Sequence, residues 1–584
     1  MNDFLQREKF RSLQQSFLSL QATSSASRWL PYVLAGIVVA AIAIVYWPVV
    51  HASFVWDDWQ SFHDTPWLTR GDNWKHYILK DFNSWAYYFR PLSLVLFMLQ
   101  VRAFDSTPAP MHVISLMIHL VNVALVGKLA WHCATLGDRS PKFRTWGSAL
   151  CMALYGLHPA LIETVSWIGC QFDLVMTMLT LLGLIANLRI QHRWGRAALV
   201  SLLFFLAACT KESAISFPLL LVLFDWLVVN HARKDGRTAT LGALLSRNWP
   251  TYAGVLVAGV AYLIFRRWAL GSLTNGLEGF PISMLARLQV IGYIYFHYWK
   301  IIFWPVDGMN PIHPFNIQSF TIATTASVTQ TTLAVGTFIA GLYLCIRRSS
   351  PWGYVIMGVT AALLPVLQVI PGHFERSLYH ERYATAAVAV LCAMLPLLRL
   401  PGAPTGLLKR RAVPAIMIVA FLWLSFSIVT IRAFLPMWSN DINLWRWAIS
   451  MHPHAPEAKA DLINAYVREK DFADLTVFAD SVLADPAPCI GCMIHIAELA
   501  LENDDLPRAN KALYRAARSS LVDKNNEIMQ TYYGLSASLL LKENRLDTAE
   551  DMAHKALAIA PKDVTVQKLL KDIEARKKAS SAQP

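Results

Sequence analysis

Long apolar stretches constrain this 584-residue chain more than any other feature of its sequence. About 17 to 25 apolar residues suffice for a helix to cross a bilayer. Eleven stretches approach or reach that length, at 29–50, 111–133, 145–159, 170–188, 197–210, 212–230, 249–268, 328–346, 352–370, 384–400 and 412–435. The sequence therefore predicts an all-α fold, a polytopic membrane helical bundle of about 11 spans.

Two further apolar stretches, 91–104 and 286–304, are expected to lie along the membrane surface as amphipathic helices. The first is short, and the second carries Arg287 and Lys300 among aromatic residues. Six segments are rich in Lys and Arg: the N-terminal tail and the loops at 139–144, 189–196, 233–237, 347–348 and 399–411. If neither stretch crosses, all six fall on one side of the membrane, which the positive-inside rule identifies as cytoplasmic. If only one of the two crossed, every later loop would lie on the opposite side of the membrane. The basic loops would then be divided between the two sides, contrary to the positive-inside rule.

Charge divides the chain near residue 436. Residues 1–436 contain 34 Lys and Arg against 18 Asp and Glu, a net charge of +16, whereas residues 437–584 contain 18 against 21, a net charge of −3. This predicts a cytoplasmic tail at 1–28, a membrane domain at 29–436 whose first outer loop spans 51–110, and a soluble extracytoplasmic domain at 437–584. It excludes a soluble enzyme, and it makes nucleic-acid binding a poor explanation of the basic surplus.

Two adjacent carboxylates, Asp57 and Asp58, follow the first span between Trp56 and Trp59. Like charge and desolvation both disfavour ionisation of such a pair, which suits a general base. The alternative is an interfacial aromatic belt with solvated acids.

Three more polar clusters lie on the same predicted face, and ionisable groups at membrane depth tend to be functional. Lys and Arg side chains are the expected ligands of a phosphate. The alternative is local ion pairing of Lys211 with Glu212 and of Glu381 with Arg382. The candidates are Arg90, Lys211 and Arg382 as phosphate ligands, with His158, Glu163, Asp173, Glu212 and Glu381 in support.

The order of these motifs resembles one family, the transmembrane-and-tetratricopeptide-repeat glycosyltransferases. These are multispan enzymes of the GT-C class, related to the protein O-mannosyltransferases. The resemblance rests on FVWDD, YFRPLSLVLFMLQ, MHVISLMIHLVNVAL, LHPALIETVSWIGCQFDL, TKESAISFPLLLVLFDW and YHERY, which run from about residue 54 to 230 and recur at 379–383.

The resemblance implies a sugar donor carried on a polyprenyl phosphate and transfer to a protein hydroxyl on the extracytoplasmic face. It assigns the acidic pair to Asp57 and Asp58, either of which would act as the base. A single base predicts inversion at the anomeric carbon, by analogy with hydrolases. Relatives commonly have Gly-Arg-x-Asp where this chain has Gly169-Cys170-Gln171-Phe172-Asp173, so the contact made by that Arg is missing.

Residues after 450 show a helical pattern with small residues at regular positions. The turn-like strings Glu469-Lys-Asp-Phe472, Asn503-Asp-Asp-Leu506 and Glu543-Asn-Arg-Leu546 stand 34 and 40 residues apart. The first interval matches the tetratricopeptide (TPR) period of about 34, and the second contains roughly six extra residues. This predicts a C-terminal TPR α-solenoid that binds the acceptor protein or a partner. The alternative is a stabilising cap on the membrane domain.

Cys489 and Cys492 form a C-x-x-C, for which a local disulfide is favoured over zinc binding or redox activity. The chain contains no Asn-x-Ser/Thr acceptor, which favours a bacterial inner membrane over an endoplasmic reticulum. No cluster has metal-ligand spacing, and a divalent ion at the Asp pair is left open. A lipid or polysaccharide glycosyltransferase, a membrane-anchored repeat scaffold and, last, a transporter are the competing functions.

Overall fold

All regular elements in the described residues of this computed structural model are helical. The structure describes residues 25–65, 68, 75, 78–79, 88–232, 239–273, 281–306, 308–369, 377–399, 407–486, 489–519 and 526–581. Residues 1–24 of the predicted cytoplasmic tail and part of the first outer loop lie outside these ranges. The all-α prediction is confirmed.

Two compact units divide the chain, residues 1–440 and 441–584. The helices of the first unit are α1 Ser25–Tyr46, α2 Pro91–Phe104, α3 Pro108–Leu136, α4 Pro141–Gly156, α5 Ile162–Ser166, α6 Gln171–Arg189, α7 Arg193–Ala208, α8 Phe217–Ala232, α9 Leu241–Leu270, α10 Met284–Phe303, α11 Thr325–Ile346, α12 Pro351–Leu363, α13 Thr385–Met394 and α14 Leu407–Phe434. Those of the second are α15 Asp441–Met451, α16 Pro456–Glu469, α17 Phe472–Ala484, α18 Ile490–Glu502, α19 Leu506–Ala517, α20 Asn526–Lys542, α21 Leu546–Ile559 and α22 Val564–Ser581.

Seven helical segments among the described residues are long and apolar enough to cross a membrane, and an eighth is a pair bent by 53° at the junction of α4 and α5. The chain is thus a multi-pass membrane protein. The other predicted spans are shorter: α7 has 16 residues, α12 has 13 and α13 has 10. The total of eleven spans therefore stays a prediction. The proposed surface helix α2 has 14 residues, also too short to cross alone.

Helix α3 lies at the centre of the first unit and packs against α1, α4, α6 and α13. Its apolar positions Val123, Val126 and Leu129 are completely buried, as are the polar side chains of His119 and Asn122. Proline starts α2, α3 and α4, where its missing N–H and fixed φ fit the first helical turn. Two short 3-10 turns, before α8 and before α13, carry Lys211 with Glu212 and Glu381 with Arg382.

The second unit contains three helix–turn–helix pairs, α16–α17, α18–α19 and α20–α21. Each of the three turn strings places its second residue in the left-handed region: φ is 57° at Lys470, 55° at Asp504 and 60° at Asn544. Ala549, Ala553 and Ala556 are fully buried in the last pair, where small side chains allow close packing. This regularity agrees with the predicted repeats, whose identity as TPR units stays a prediction.

Candidate active site

The two adjacent carboxylates after α1 occupy different environments. Asp58 is completely buried, and its Oδ1 accepts a hydrogen bond from the backbone N–H of Gly169 at 2.8 Å. Its Oδ2 accepts from the backbone N–H of Val55 at 3.4 Å. Asp57 is exposed. The structure thus separates a buried carboxylate that holds the loop from one that is exposed.

Trp56, which precedes the pair, has a φ of 56° in the left-handed region, where bulky residues are uncommon. Its indole stacks on that of Trp167, with ring centroids 4.8 Å apart and an angle of 7° between the planes. Residues held in such conformations cluster at functional sites. Asp57 is therefore fixed on both sides, by the stacking of Trp56 and by the hydrogen bonds of Asp58.

Arg382 forms a buried ion pair with Glu163 and also donates its backbone N–H to that carboxylate at 2.9 Å. Its guanidinium lies 4.9 Å from the ring centroids of both Trp167 and Tyr383. Burial alone would lower the pKa of Arg382, but Glu163 raises it well above its usual value. Burial and the positive charge of Arg382 lower the pKa of His380 well below its usual value. Arg382 is thus the charged group at this position, and His380 is neutral.

Lys211 pairs with Asp173, the Nζ–Oδ1 distance being 2.5 Å, and both side chains are almost completely buried. The Nζ atom lies 4.8 Å from the ring centroid of Phe172 and 4.7 Å from that of Tyr383. Burial lowers the pKa of Lys211, and the ion pair with Asp173 opposes that shift. The ammonium is therefore held in place by a carboxylate and two aromatic faces.

Arg90 lies directly before α2, and its Nη2 is 2.8 Å from Oε2 of Glu212. Its guanidinium is 4.7 Å from the ring centroid of Phe172. Burial would lower the pKa of Arg90, but the negative charge of Glu212 raises it above its usual value. The ion pair joins the start of α2 to the turn before α8.

The structure brings the three predicted cations together through two shared rings. Phe172 contacts Arg90 and Lys211, and Tyr383 contacts Lys211 and Arg382. Cations over aromatic faces in a desolvated site gain electrostatic stabilisation. The result is a cationic, aromatic-lined cluster, which we call the cation cluster, defined by Arg90, Lys211 and Arg382.

The pairing of these charges differs from the local pairing considered as an alternative. Lys211 pairs with Asp173 instead of its neighbour Glu212. Glu381 lies 3.1 Å from Nε2 of His313 and is not bonded to Arg382. Consecutive side chains in these short turns point towards different helices, so sequence neighbours do not meet.

His158, predicted as a supporting residue, lies at a helix junction. Its Nε2 donates to the carbonyl oxygen of Ile302 at 2.9 Å, and its Nδ1 accepts from the backbone N–H of Ala160 at 3.3 Å. Both ring nitrogens are therefore used to hold the start of the Pro159 turn against α10. His158 therefore has a structural role at the site.

Neither His313 nor the amide network behind the site was predicted from the sequence. Gln171 receives a hydrogen bond from Gln100 at 2.7 Å and donates to Ser115 at 3.0 Å. Gln171 follows Cys170 and ties α2, α3 and α6 together. His313 lies outside the segments that carry the quoted motifs, so no motif indicated it.

Among the described residues, no group of three or more His, Cys, Asp or Glu side chains is arranged to hold a metal ion. The carboxylates that contact the cation cluster, those of Glu163, Asp173 and Glu212, each pair with an Arg or a Lys.

Comparison with known proteins gives one partial similarity. The chain is 29% identical over 197 residues to a Drosophila melanogaster protein described as "Protein O-mannosyl-transferase Tmtc1". The matched region is 32% of this chain and 22% of the fly protein, so the chain spans about a fifth of that relative's length. No family model matches the chain, and no solved structure matches it.

Proposed function

We propose that the chain is a membrane glycosyltransferase that transfers a sugar from a polyprenyl-phosphate carrier to a protein hydroxyl on the extracytoplasmic face. The observation that carries the proposal is the cation cluster beside Trp56 and Asp57. It combines an exposed carboxylate, an aromatic platform and three cations, of which Lys211 and Arg382 are buried and Arg90 is half-buried. This combination suits transfer from a sugar phosphate. The similarity to an O-mannosyltransferase supports the same class of reaction.

Asp57 is the general base in this mechanism. Its carboxylate takes the proton from the acceptor hydroxyl while the hydroxyl oxygen bonds to the anomeric carbon. Asp58 is a positioning residue, because its hydrogen bond to Gly169 fixes the loop that carries Asp57. With one base and no second carboxylate acting as nucleophile, the anomeric configuration inverts.

The bond between the anomeric carbon and the phosphate oxygen breaks as the new bond forms. The electron pair leaves with the polyprenyl phosphate, whose developing negative charge is stabilised by the cation cluster. Arg90 and Arg382 offer planar forks of N–H donors, and Lys211 acts as a point charge. Their carboxylate partners hold all three in place before the donor binds, which limits reorganisation during the reaction.

The second unit is proposed to recruit the acceptor protein or a partner through its helical repeats. The disulfide between Cys489 and Cys492 supports an oxidising compartment, since such bonds persist outside the cytosol. We place the unit in the periplasm of a bacterium, with the N-terminus of the chain in the cytoplasm. A lipid or polysaccharide acceptor is the competing version of the same activity.

The decisive experiment reconstitutes the full chain in vesicles with polyprenyl-phosphate mannose or glucose, radiolabelled in the sugar, and extracytoplasmic proteins as acceptors. We expect label in the protein fraction, and its complete loss in Asp57→Asn. Asp64→Asn is the matched control, because Asp64 is an exposed acid of the same loop that forms an ion pair with His63. Label confined to the lipid fraction would establish the competing acceptor class, and equal transfer by the Asp57→Asn protein would exclude the mechanism.

A further inference from the structure

A hydroxyl-rich segment leaves the wall of the proposed site and becomes exposed. Residues 317–332 contain eight Ser or Thr among sixteen positions and no Asp, Glu, Lys or Arg. Ile317–Thr321 form a short 3-10 turn, and Thr325 begins α11. The side chains of Ser319, Thr321, Thr324 and Thr325 are exposed. We call residues 319–325 the hydroxyl segment.

The residues before the hydroxyl segment are anchored at the site. The backbone N–H of His313 donates to Oγ of Ser377 at 2.8 Å, and its Nε2 lies 3.1 Å from Glu381. Its ring lies 6.1 Å from that of His380, which in turn lies 6.1 Å from the indole of Trp56. His313 therefore links this stretch of chain to the residue next to Asp57.

A second contact holds the hydroxyl segment itself beside the same wall. Phe320 lies in this segment, and its ring is 5.4 Å from that of Tyr293 on α10. Tyr293 contacts Tyr379, with ring centroids 6.2 Å apart, two residues before Glu381. The exposed hydroxyls of Ser319 and Thr321 thus flank a residue, Phe320, that is packed against the wall of the site.

Helix capping explains the presence of only some of the Ser and Thr residues in this segment. Thr324 and Ser327 form a capping box at the start of α11. Ser319 and Thr321 donate only to carbonyl oxygens of their own turn, at 2.7 Å in each case. Short 3-10 helices have poorer hydrogen-bond geometry than α-helices. Presenting the hydroxyls of Ser319 and Thr321 to a base would therefore break only hydrogen bonds within their own turn.

We propose that the hydroxyl segment is itself an acceptor of the sugar, so that the protein modifies its own chain or that of a neighbouring copy. This inference rests on the proposed function and specifies its acceptor class as an uncharged peptide rich in Ser and Thr. In the step, Asp57 takes the hydroxyl proton, the Thr oxygen bonds to the anomeric carbon, and the polyprenyl phosphate leaves. Tethering keeps such an acceptor near the site at an effective concentration on the order of millimolar.

Mass spectrometry of the purified full chain tests the proposal. Chymotrypsin cuts after Phe320 and Leu333, which releases the peptide 321–333. We expect a mass increment of one or more sugars on this peptide from the active protein, localised by fragmentation to residues 321–325. The peptide from Asp57→Asn produced in the same cells should carry none.

The matched variant is Thr321→Val with Thr325→Val, which removes two exposed hydroxyls and retains the cap at Thr324. It should lose most of the increment while transferring sugar to other proteins at the normal rate. An unmodified peptide from protein that glycosylates other acceptors would overturn this inference and leave the proposed function intact. An increment that persists in Asp57→Asn would also overturn it, because another enzyme would then have added the sugar. Absence of transfer to every acceptor would instead refute the proposed function.

Discussion

Asp58 accepts a hydrogen bond from the backbone N–H of Gly169, and this contact joins the first outer loop to the turn before α6 across 111 positions of sequence. The neighbouring Asp57 is exposed. Two residues that look equivalent in the sequence are therefore expected to respond differently to substitution. Asp58 holds the loop, whereas Asp57 is the proposed base.

Asp57→Ala and Asp58→Ala should separate these roles. Asp58→Ala leaves the Gly169 N–H without this acceptor and should lower the free energy of unfolding by about 1–3 kcal/mol. Asp57→Ala should abolish sugar transfer with a smaller effect on stability, because its side chain is exposed. Thermal unfolding in detergent and a transfer assay measure the two effects. Equal loss of stability in both variants would contradict the division.

The contributions of Glu163 and Arg382 to stability should be strongly non-additive, because the two side chains form a buried ion pair. Glu163→Ala leaves a buried guanidinium without its carboxylate, and breaking such a pair costs about 3–5 kcal/mol. A double-mutant cycle with Arg382→Met isolates the pairwise energy, since the double variant buries neither charge. Additive effects of the two single substitutions on unfolding would show that the pair does not contribute in this way.

Lys211 is expected to bind the donor as well as pair with Asp173. Lys211→Met leaves Asp173 unpaired and should impair both stability and transfer. Adding Asp173→Asn removes the uncompensated carboxylate and should restore much of the stability, while the KM for the lipid-linked donor stays raised by at least about tenfold, the equivalent of roughly 1.4 kcal/mol. Full recovery of donor KM in the double variant would limit Lys211 to a structural role.

The sequence predicted the cations of this site but not their partners. The periodicity of apolar stretches and the order of the motifs identified Arg90, Lys211 and Arg382, which the structure brings together. Their partners were not predictable, because the Glu163–Arg382 pair spans 219 positions and depends on how α5 and the turn before α13 pack. Side-chain direction in the 3-10 turns also decides that Lys211 faces Asp173 and not Glu212, and no periodic pattern encodes it.

The lengths of the helices between α7 and α14 were also only partly predictable from the sequence. Apolar length predicted spans at 352–370 and 384–400, but α12 and α13 end in 3-10 turns at Pro365 and Pro396. Proline lacks a backbone donor and ends regular helix at these points. His313 contacts the site through a long connection between α10 and α11, a region without motif similarity.

The pH dependence of transfer should reflect the lowered pKa of Lys211. Because burial favours the neutral amine, the ammonium loses its proton at a lower pH than an exposed lysine does. Donor affinity should therefore decline as the pH rises, and this decline should begin below about pH 10.4, the usual lysine value. In Lys211→Arg this alkaline decline should move to higher pH, since Arg stays protonated. The KM for the donor measured from pH 7 to 10 checks this, and an identical profile in both proteins would exclude Lys211 as the titrating group.

The disulfide between Cys489 and Cys492 closes a loop of only three positions in sequence at the start of α18. A cross-link this short restricts the unfolded chain little, so its removal should cost about 2 kcal/mol by the chain-entropy relation. Cys489→Ser, Cys492→Ser and the double variant should be destabilised equally, because each removes the same bond. Chemical unfolding of the full chain, followed by the accessibility of the second unit to protease, measures the effect. Thiol labelling without reductant should leave both sulfurs of the native protein unmodified, and rapid labelling there would contradict both the bond and the oxidising compartment inferred from it.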